Sequence, residues 1–298
     1  MTLEQLRIFV RVAELEHVTR AAEALNITQS AASAAIAALE ARHGVALFHR
    51  VGRRIELTDA GQILLVEARA VLGRAASAAQ ALADLGALKR GTLRLVASQT
   101  IASYWLPRHL AAFRLRYPSV DVQLAIANTD RAAEAVRNGT AELGFVEGVI
   151  DDPALALWPI AADRLMLVAA EEGPLSVDAP WLRAARWIMR EPGSGTRSSF
   201  EEALRGLGVE PAALDVALVL PSNEAVRSAV EAGAGVAALS ALVVAPSVAT
   251  GALAALPLTL PGRPFFGLRH KERYRSRAAD ALLDLIRETI CAQGAGGP

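Results

Sequence analysis

Residues 19–40 read TRAAEALNITQSAASAAIAALE and contain two short segments in which apolar residues recur at helical spacing. Asn26-Ile27-Thr28 separates the segments: Asn26 suits a left-handed turn that ends one helix, and Thr28 suits the cap of the next. Alanines on the facing sides allow the two helices to cross at close range. The stretch therefore predicts a helix-turn-helix, although helix pairs with short turns also occur in bundles and repeat proteins.

The residues on both sides of this pair favour a DNA-binding module over those alternatives. Before it, residues 3–13 place apolar side chains on one face of a helix that would cover the packed pair. After it, residues 50–57 read RVGRRIEL, with a basic tip between two apolar arms, as in a short hairpin. Three helices followed by a basic wing predict a winged helix-turn-helix that lays one helix in the DNA major groove.

Polar residues on the outer side of this module are the candidates for DNA contact. They are Thr19, Arg20, Thr28, Gln29, Ser30, Ser33, Arg50, Arg53 and Arg54. The side-chain amide of Gln29 can form a bidentate hydrogen-bonded contact with adenine. The arginines of the wing are suited to phosphate contacts and to the recognition of DNA shape.

Residues 1–60 resemble the amino terminus of the LysR-type transcriptional regulators, in the stretches MTLEQLRIFVRVAE, TRAAEALNITQSAAS, IAALE and LFHRVGRRIELTDAG. The likeness continues along essentially the whole chain in order and spacing. It departs at Ala34 and Ala35, where the family commonly has a long polar or basic side chain, and at His17, where a small hydroxyl residue is frequent. The resemblance implies an α/β protein with a winged helix-turn-helix, a linker helix and a two-lobed effector domain like the periplasmic binding proteins.

We accordingly predict three parts along the chain. A DNA-binding domain spans residues 1–58, a linker helix and hinge span 59–90, and the effector domain spans 91–298, with lobe I at 91–162 and 266–298 and lobe II at 163–265. The linker has near-heptad apolar positions that a single helix cannot bury, so it pairs with a second copy or packs on its own domain. These positions are Leu64, Leu65, Ala68, Leu72, Ala75, Ala79, Leu82 and Leu85.

Strand and helix patterns alternate after residue 91, which predicts parallel sheets with crossover helices. The predicted strands are 93–97, 120–127, 142–146, 164–170, 187–189, 216–220, 235–238 and 265–269; the predicted helices are 105–117, 128–138, 197–206, 223–232, 240–248 and 276–290. The last strand and helix should return to the first lobe. The chain would then cross between two lobes twice and leave a cleft between them.

Polar segments follow the predicted strands and should converge at that cleft, because ligands of open α/β sheets bind at the carboxyl ends of strands. The candidates for effector binding are Ser98, Gln99, Thr100, Asn128, Thr129, Glu147, Ser194, Gly195, Thr196, Ser222 and Asn223. Hydroxyls and N–H groups at helix starts bind anions, although each segment could instead cap its own helix. Glu147 could repel or orient an anion, or accept a hydrogen bond from an amine.

The stretches at 97–101, 146–148 and 190–197 look most like the sulfur-metabolism branch of the family, the CysL- and CysB-like regulators. That likeness implies a small oxyanion or a sulfur precursor as effector. Neutral donors without an obligatory arginine would suit a fully ionised oxyanion such as sulfate or thiosulfate, with Arg197 either a further partner or exposed to solvent. An organic or aromatic carboxylate is the alternative effector.

Composition excludes several classes of protein. The 31 basic and 31 acidic residues give zero net charge, which argues against a general nucleic-acid coat but permits a specific reader with local basic residues. The single cysteine, Cys291, excludes a disulfide framework and a zinc set, and is read as an inert thiol. Residues 232–262 carry no charge, yet glycines and prolines divide them into pieces too short to span a bilayer, so we predict buried strand, helix and strand.

Enzyme signatures are poor, so no catalytic residue, metal or cofactor is predicted. Gly193-Ser194-Gly195 lacks the flanking glycine of a nucleophile elbow, and the histidines are scattered. A solute-binding protein is the alternative from another class, but it needs an export signal, and charges interrupt the amino-terminal apolar pattern. We therefore expect a cytoplasmic homodimer or homotetramer without membrane contact, whose partners are promoter DNA, a small anionic effector and RNA polymerase.

Overall fold

The computed structural model describes residues 1–51, 54–83, 91–148 and 150–294 of the 298-residue chain. These residues form two compact units. The first runs from Met1 to Leu85 and takes in Arg137–Thr140, and the second holds the remainder of the chain.

The first unit contains the predicted helix-turn-helix. Its elements are α1 (Leu3–Leu15), α2 (Val18–Ala24), α3 (Gln29–His43), β1 (Phe48–Val51), β2 (Arg54–Leu57) and α4 (Asp59–Ala83). Asn26 has a φ of 54°, and the Thr28 side chain accepts a hydrogen bond from the N–H of Ala31, so both turn residues act as the sequence predicted. The antiparallel hairpin β1–β2 forms the wing.

Small side chains set the crossing of α2 and α3. Ala21, Ala22 and Ala32 are at most 1% exposed and share a core cluster with Ile8 and Val12 of α1. Because methyl groups fill the contact, the two helices approach closely while α1 covers them from one side. The opposite side of α3 remains outside this core.

Helix α4 packs part of its apolar face against the core of its own unit. Ala68 is buried, and Leu64, Leu65 and Leu72 pack with it against Leu6 and other residues of the same core. Ile63, Val66, Val71 and Leu82 are instead 69%, 43%, 41% and 72% exposed. Of the near-heptad positions, Leu64, Leu65, Ala68 and Leu72 thus pack on their own domain, the second of the two alternatives, while Leu82 is exposed and Leu85 lies outside the described residues.

The second unit alternates strands and helices as predicted, and it adds a short helix at Ala179–Ala184 that was not predicted. Its strands are β3 (Gly91–Ser98), β4 (Val120–Ala127), β5 (Leu143–Glu147), β6 (Leu155–Ala169), β7 (Arg186–Arg190), β8 (Asp215–Leu220), β9 (Ala237–Ser240), β10 (Ala254–Ala255) and β11 (Gly262–His270). Its helices are α5 (Leu106–Arg116), α6 (Thr129–Asn138), α7 (Ala179–Ala184), α8 (Gly195–Gly206), α9 (Asn223–Glu231), α10 (Ala241–Ala249) and α11 (Arg277–Gly294), with a π-helix at Ile101–Trp105 and a 3-10 turn at Pro211–Ala213.

Two lobes share one continuous sheet through β6 and β11. In lobe I, β3 pairs in parallel with β4 and β5, and β11 joins β5 in the antiparallel direction. In lobe II, β9 and β10 pair with the second half of β6, and β7 pairs in parallel with β8. Phe113, Phe145 and Phe265 centre the core of lobe I, and Trp187 stacks on Phe200 in lobe II.

Strand β6 is much longer than predicted. Its predicted start was Arg164, whereas the strand begins at Leu155 and pairs with β11 from Leu155↔His270 to Arg164↔Gly262. The first half of β6 has no regular strand pattern in the sequence, because it contains Pro159 and its neighbours are only partly buried. The pairing register with β11 also shifts next to Pro159. Both connections between the lobes therefore lie side by side as one antiparallel ladder.

The uncharged stretch 232–262 folds as β9, α10 and β10. Strand β9 lies two residues later than predicted, and Pro246 stands inside α10. Within the described ranges, no helix is both long enough and apolar enough to cross a membrane.

Candidate DNA-reading helix and interlobe cleft

The start of α3 presents a polar surface. Thr28, Gln29 and Ser30 are exposed and Ser33 is partly exposed. Gln29 Nε2 donates to Ser33 Oγ at 3.0 Å, and the hydroxyls of Thr28 and Ser30 lie 3.0 Å apart. These four side chains form two hydrogen-bonded pairs at the amino end of the helix.

Helix α2 and the wing carry the other predicted DNA contacts. Thr19 and Arg20 are exposed on α2. His17 caps this helix, since its Nδ1 accepts from the N–H of Arg20 at 3.4 Å, so the histidine replaces a hydroxyl residue in function as well as in position. Arg50 lies on β1 and Arg54 on β2, whereas Arg53 lies outside the described residues.

Asn223 joins the two lobes across the cleft. Its backbone N–H donates to Gln99 Oε1 at 2.7 Å, and its Nδ2 donates to Thr100 Oγ1 at 3.0 Å. Next to it, the hydroxyl of Tyr104 donates to Glu224 at 3.1 Å. Burial raises the pKa of Tyr104, and the hydrogen bond to Glu224 raises it further. The segment after β3 is thus tied to the start of α9, which Ser222 also caps through its own side chain.

A second set of contacts brings α8 onto the ends of β4 and β5. Thr129 Oγ1 donates to the backbone oxygen of Glu147 at 3.0 Å. A Cβ on Gly195 would lie 2.5 Å from each of these two oxygens, so only glycine permits this approach. Asn128 Nδ2 donates to the oxygen of Pro192 at 3.4 Å, and Ser194 begins α8 without a side-chain cap.

Buried charges lie beneath these contacts. Arg263 on β11 stands opposite Asp163 on β6 and donates to Asp163 Oδ2 through Nε at 2.9 Å and Nη2 at 2.7 Å. Its Nη1 donates to Thr196 Oγ1 at 3.2 Å, and its Nη2 lies 3.7 Å from Glu147 Oε1. Arg263 and Glu147 are 5% and 2% exposed. One arginine thus links both crossing strands, the end of β5 and the start of α8.

A second buried arginine corrects the expectation of a cleft lined by neutral donors alone. Arg190 is 5% exposed, donates to Asn223 Oδ1, and makes two hydrogen bonds with Glu191, at 2.8 and 3.0 Å. Arg197 is only partly exposed and pairs with Glu201 at 2.7 Å. The prediction was wrong here because strand β7 was placed too short to include Arg190, and Arg263 belongs to a crossing strand.

Two family models match this chain. One is described as "Bacterial regulatory helix-turn-helix protein, lysR family" and matches residues 3–62; the other is the "LysR substrate binding domain" and matches residues 86–290. The chain belongs to the LysR family of transcriptional regulators. Its first unit carries the family's helix-turn-helix, and its second unit carries the family's substrate-binding domain.

Relatives and solved structures agree with this LysR assignment. The chain is 34% identical to an uncharacterized HTH-type transcriptional regulator, YeiE, of Escherichia coli strain K12, over 95% of this chain and 96% of that protein. It is 33% identical to a probable RuBisCO transcriptional regulator of Nostoc sp., over 94% and 86% of the two chains. Full-length CbnR complexed with its target DNA superposes with a TM-score of 0.66, at 26% identity, over 97% of this chain and 100% of CbnR.

A further similar structure contains a ligand. The regulatory domain of CcmR from Synechocystis PCC6803, in complex with 2-PG, matches with a TM-score of 0.61 at 25% identity. The match covers 67% of this chain and 97% of that domain.

Most of the predicted cleft residues of this LysR protein are brought together, and four neighbours were missed. The missed residues are Tyr104, Asp163, Arg190 and Arg263. Arg190 lies within a stretch that the sequence analysis quoted, so extending β7 by one residue would have included it. The pairing of Asp163 with Arg263 depends on a register between strands 100 residues apart, which no local pattern shows.

Proposed function

We propose that this LysR-type regulator is a cytoplasmic, homo-oligomeric DNA-binding protein that reads promoter DNA with α3 and the wing and responds to a small oxyanion held between lobes I and II. A sulfur oxyanion is the named candidate, as the likeness to the CysL- and CysB-like branch suggests. The observation that carries the effector part is the meeting of Asn223 with Gln99 and Thr100. It links lobe I to lobe II at the place where a ligand would be enclosed.

The DNA-binding part is supported by the hydrogen-bonded polar side chains at the start of α3. Gln29 and Ser33 lie one turn apart on the side away from the core, so both can reach base edges when the helix enters a major groove. Their mutual hydrogen bond holds Gln29 in one orientation before DNA binds. Ala34 is exposed beside them, so few long side chains of α3 are available for base contacts.

A pair of variants tests whether DNA reading and effector sensing are separate. We expect Gln29→Ala to weaken specific operator binding about tenfold, in line with the loss of one base contact, and to leave effector affinity unchanged. Thr196→Val, at the start of α8, should instead lower the affinity for the effector and leave operator binding unchanged. Fluorescence anisotropy with operator DNA and calorimetry with the effector give the two readouts, and equal loss of both activities in either variant would count against the proposal.

The oxyanion part is supported by donors that converge at the cleft. Ser98 Oγ is buried without a hydrogen-bond partner among the described residues, and α8 begins without a side-chain cap against the end of the neighbouring strand β5. Backbone N–H groups at a helix start, together with hydroxyls, favour a negative charge. Binding would alter the pose of the lobes and thereby the spacing of the DNA-reading heads in the oligomer, which changes contact with promoter DNA or RNA polymerase.

Calorimetry with a ligand panel tests the effector class. Sulfate, thiosulfate, inorganic phosphate, acetate, glycolate and benzoate would each be titrated into the full-length protein. Binding of a small oxyanion supports the proposal. Tight binding of benzoate with no binding of any oxyanion would reject it in favour of an aromatic carboxylate.

A further inference from the structure

We infer that the effector presents a hydrogen-bond donor of its own, an O–H or N–H group next to its anionic group, and that Glu147 receives it. The inference rests on the proposed function, because it concerns the ligand of the same cleft. It begins from one observation. Glu147 is 2% exposed, and its Oε1 has no hydrogen-bond donor in the part of the chain that the structure describes.

The position of Glu147 makes it part of the cleft. It ends β5, and its backbone oxygen is contacted by Thr129 and by the start of α8 at Gly195. Its side chain points toward Arg263, which in turn reaches Thr196 in the first turn of α8. The carboxylate therefore stands beside the helix start that would hold an anion.

Arg263 does not satisfy this carboxylate. The distance of 3.7 Å from Arg263 Nη2 to Glu147 Oε1 is too long for a hydrogen bond, whereas the same Nη2 lies 2.7 Å from Asp163. The other nitrogens of Arg263 donate to Asp163 and Thr196. Asp163 thus takes the strong bonds of this arginine and leaves Glu147 with a weak attraction.

The charge balance of the cleft points the same way. Arg190 pairs with Glu191, and Arg263 pairs with Asp163, so each buried arginine already has its carboxylate. Glu147 is a third carboxylate, which Arg263 approaches only to 3.7 Å. A fully ionised dianion against it would meet repulsion that this longer contact offsets only in part, whereas an anion that keeps a proton converts that repulsion into a charge-assisted hydrogen bond.

The same strand ends supply the donors that an anionic group needs, because β3 lies next to β5 in the sheet. Ser98 is 3% exposed with an unpartnered hydroxyl, and by strand register it follows Ala97 at the level of β4 residue Ala127 and next to the end of β5. The start of α8 adds backbone N–H groups. Donors and a lone acceptor at neighbouring strand ends fit an oxyanion that keeps a proton, or a small hydroxy acid or amino acid. Within the proposed class of oxyanions they disfavour fully ionised sulfate.

Two matched ligand pairs test this with the full-length protein. Sulfate and inorganic phosphate have the same tetrahedral shape, but near neutral pH only phosphate keeps a proton. Glycolate differs from acetate by one hydroxyl donor. We expect phosphate and glycolate to bind about tenfold to a hundredfold more tightly than sulfate and acetate, the size of effect expected when a buried acceptor is left unpaired.

A variant then reverses the preference. Glu147→Gln replaces a carboxylate oxygen by an amide that can donate, so sulfate should gain affinity and phosphate should lose its advantage. Glu142→Gln is the matched control, because Glu142 precedes the other end of β5 and pairs with Arg94. It should keep the wild-type order of affinities.

The outcomes separate this inference from the proposed function. If wild-type protein binds sulfate as tightly as phosphate, and acetate as tightly as glycolate, the role of Glu147 is refuted while the oxyanion site stands. If neither these four ligands nor thiosulfate binds, the effector part of the proposed function fails and the inference with it. The wild-type comparison needs no variant, so a folding defect in Glu147→Gln would leave the test intact.

Discussion

Asn223 Nδ2 donates to Thr100 Oγ1 at 3.0 Å, which bonds the start of a lobe II helix directly to the segment that follows a lobe I strand. Asn223 also binds Gln99 through its backbone and accepts from Arg190. It is fully buried. Any opening of the cleft beside α9 must break these hydrogen bonds, and any ligand that enters there must replace them.

Removal of the Asn223 side chain should destabilise the second unit. In Asn223→Leu, Thr100 and Arg190 lose a buried partner, so we expect the free energy of unfolding to fall by about 1–3 kcal/mol. Urea unfolding followed by tryptophan emission measures this, since all four tryptophans, Trp105, Trp158, Trp181 and Trp187, lie in the second unit. Gln123→Leu, at an exposed position of β4, should change stability little, and an equal loss in both variants would contradict the interpretation.

Loss of Arg263 should cost more. Arg263→Met leaves the buried Asp163 without its hydrogen-bonded counter-charge and removes the cation 3.7 Å from Glu147, for which we expect a loss of about 3–5 kcal/mol in the same urea assay. Arg287→Met is the control, because its pair with Asp284 is more than 60% exposed on both sides and should contribute under about 1 kcal/mol. If both variants lowered the free energy of unfolding by a similarly small amount, the buried ion pairs of Arg263 would not contribute to stability as expected.

Acid should destabilise the second unit through His109. Burial lowers the pKa of His109 to about 4, with a contribution from the charge of Arg108, and both ring nitrogens lack partners among the described residues. In the unfolded chain the pKa of histidine is about 6.5. Between these two pH values the histidine is protonated in the unfolded chain but not in the native state. The contribution of His109 to the free energy of unfolding is therefore fully present above pH ~6.5 and falls by up to about 3 kcal/mol toward pH ~4.

Unfolding midpoints at pH 7 and pH 5 for wild type and His109→Leu measure this contribution. The variant should lose less stability than wild type between the two pH values. His43→Gln, an exposed histidine of α3, should keep the wild-type response. An unchanged pH dependence in His109→Leu would place the acid sensitivity in other groups.

A charge on the exposed side of α4 should weaken self-association. Ile63 is 69% exposed although it is apolar, which is expected of a residue that a second copy of the helix covers. Ile63→Asp should therefore shift the protein toward monomer in sedimentation velocity. Gln62→Asp, at the neighbouring exposed polar position, should not, and a wild-type profile for Ile63→Asp would exclude this face as the contact.

Local signals were sufficient for the DNA-binding head and for most elements of the two lobes. Thr28 and Asn26 act through their own backbone neighbours, so a short window contains all the information that places them. Polar residues after strands are likewise visible in sequence, because a strand end and a helix start adjoin in the chain. The first half of strand β6 was not predicted, because Pro159 interrupts its strand pattern.

The sequence by itself determined where most of the helices lie, which faces of α1, α2 and α3 form a core, and that polar segments end the strands of the two lobes. Only the tertiary structure decided that Arg263 lies opposite Asp163, that Asn223 meets Thr100, and that Glu147 is buried without a hydrogen-bond donor among the described residues. The physical reason is the separation along the chain of the residues that interact. Caps and periodic faces depend on residues a few positions apart, whereas the charge balance of the cleft depends on strand register and on lobe contacts between residues about a hundred positions apart.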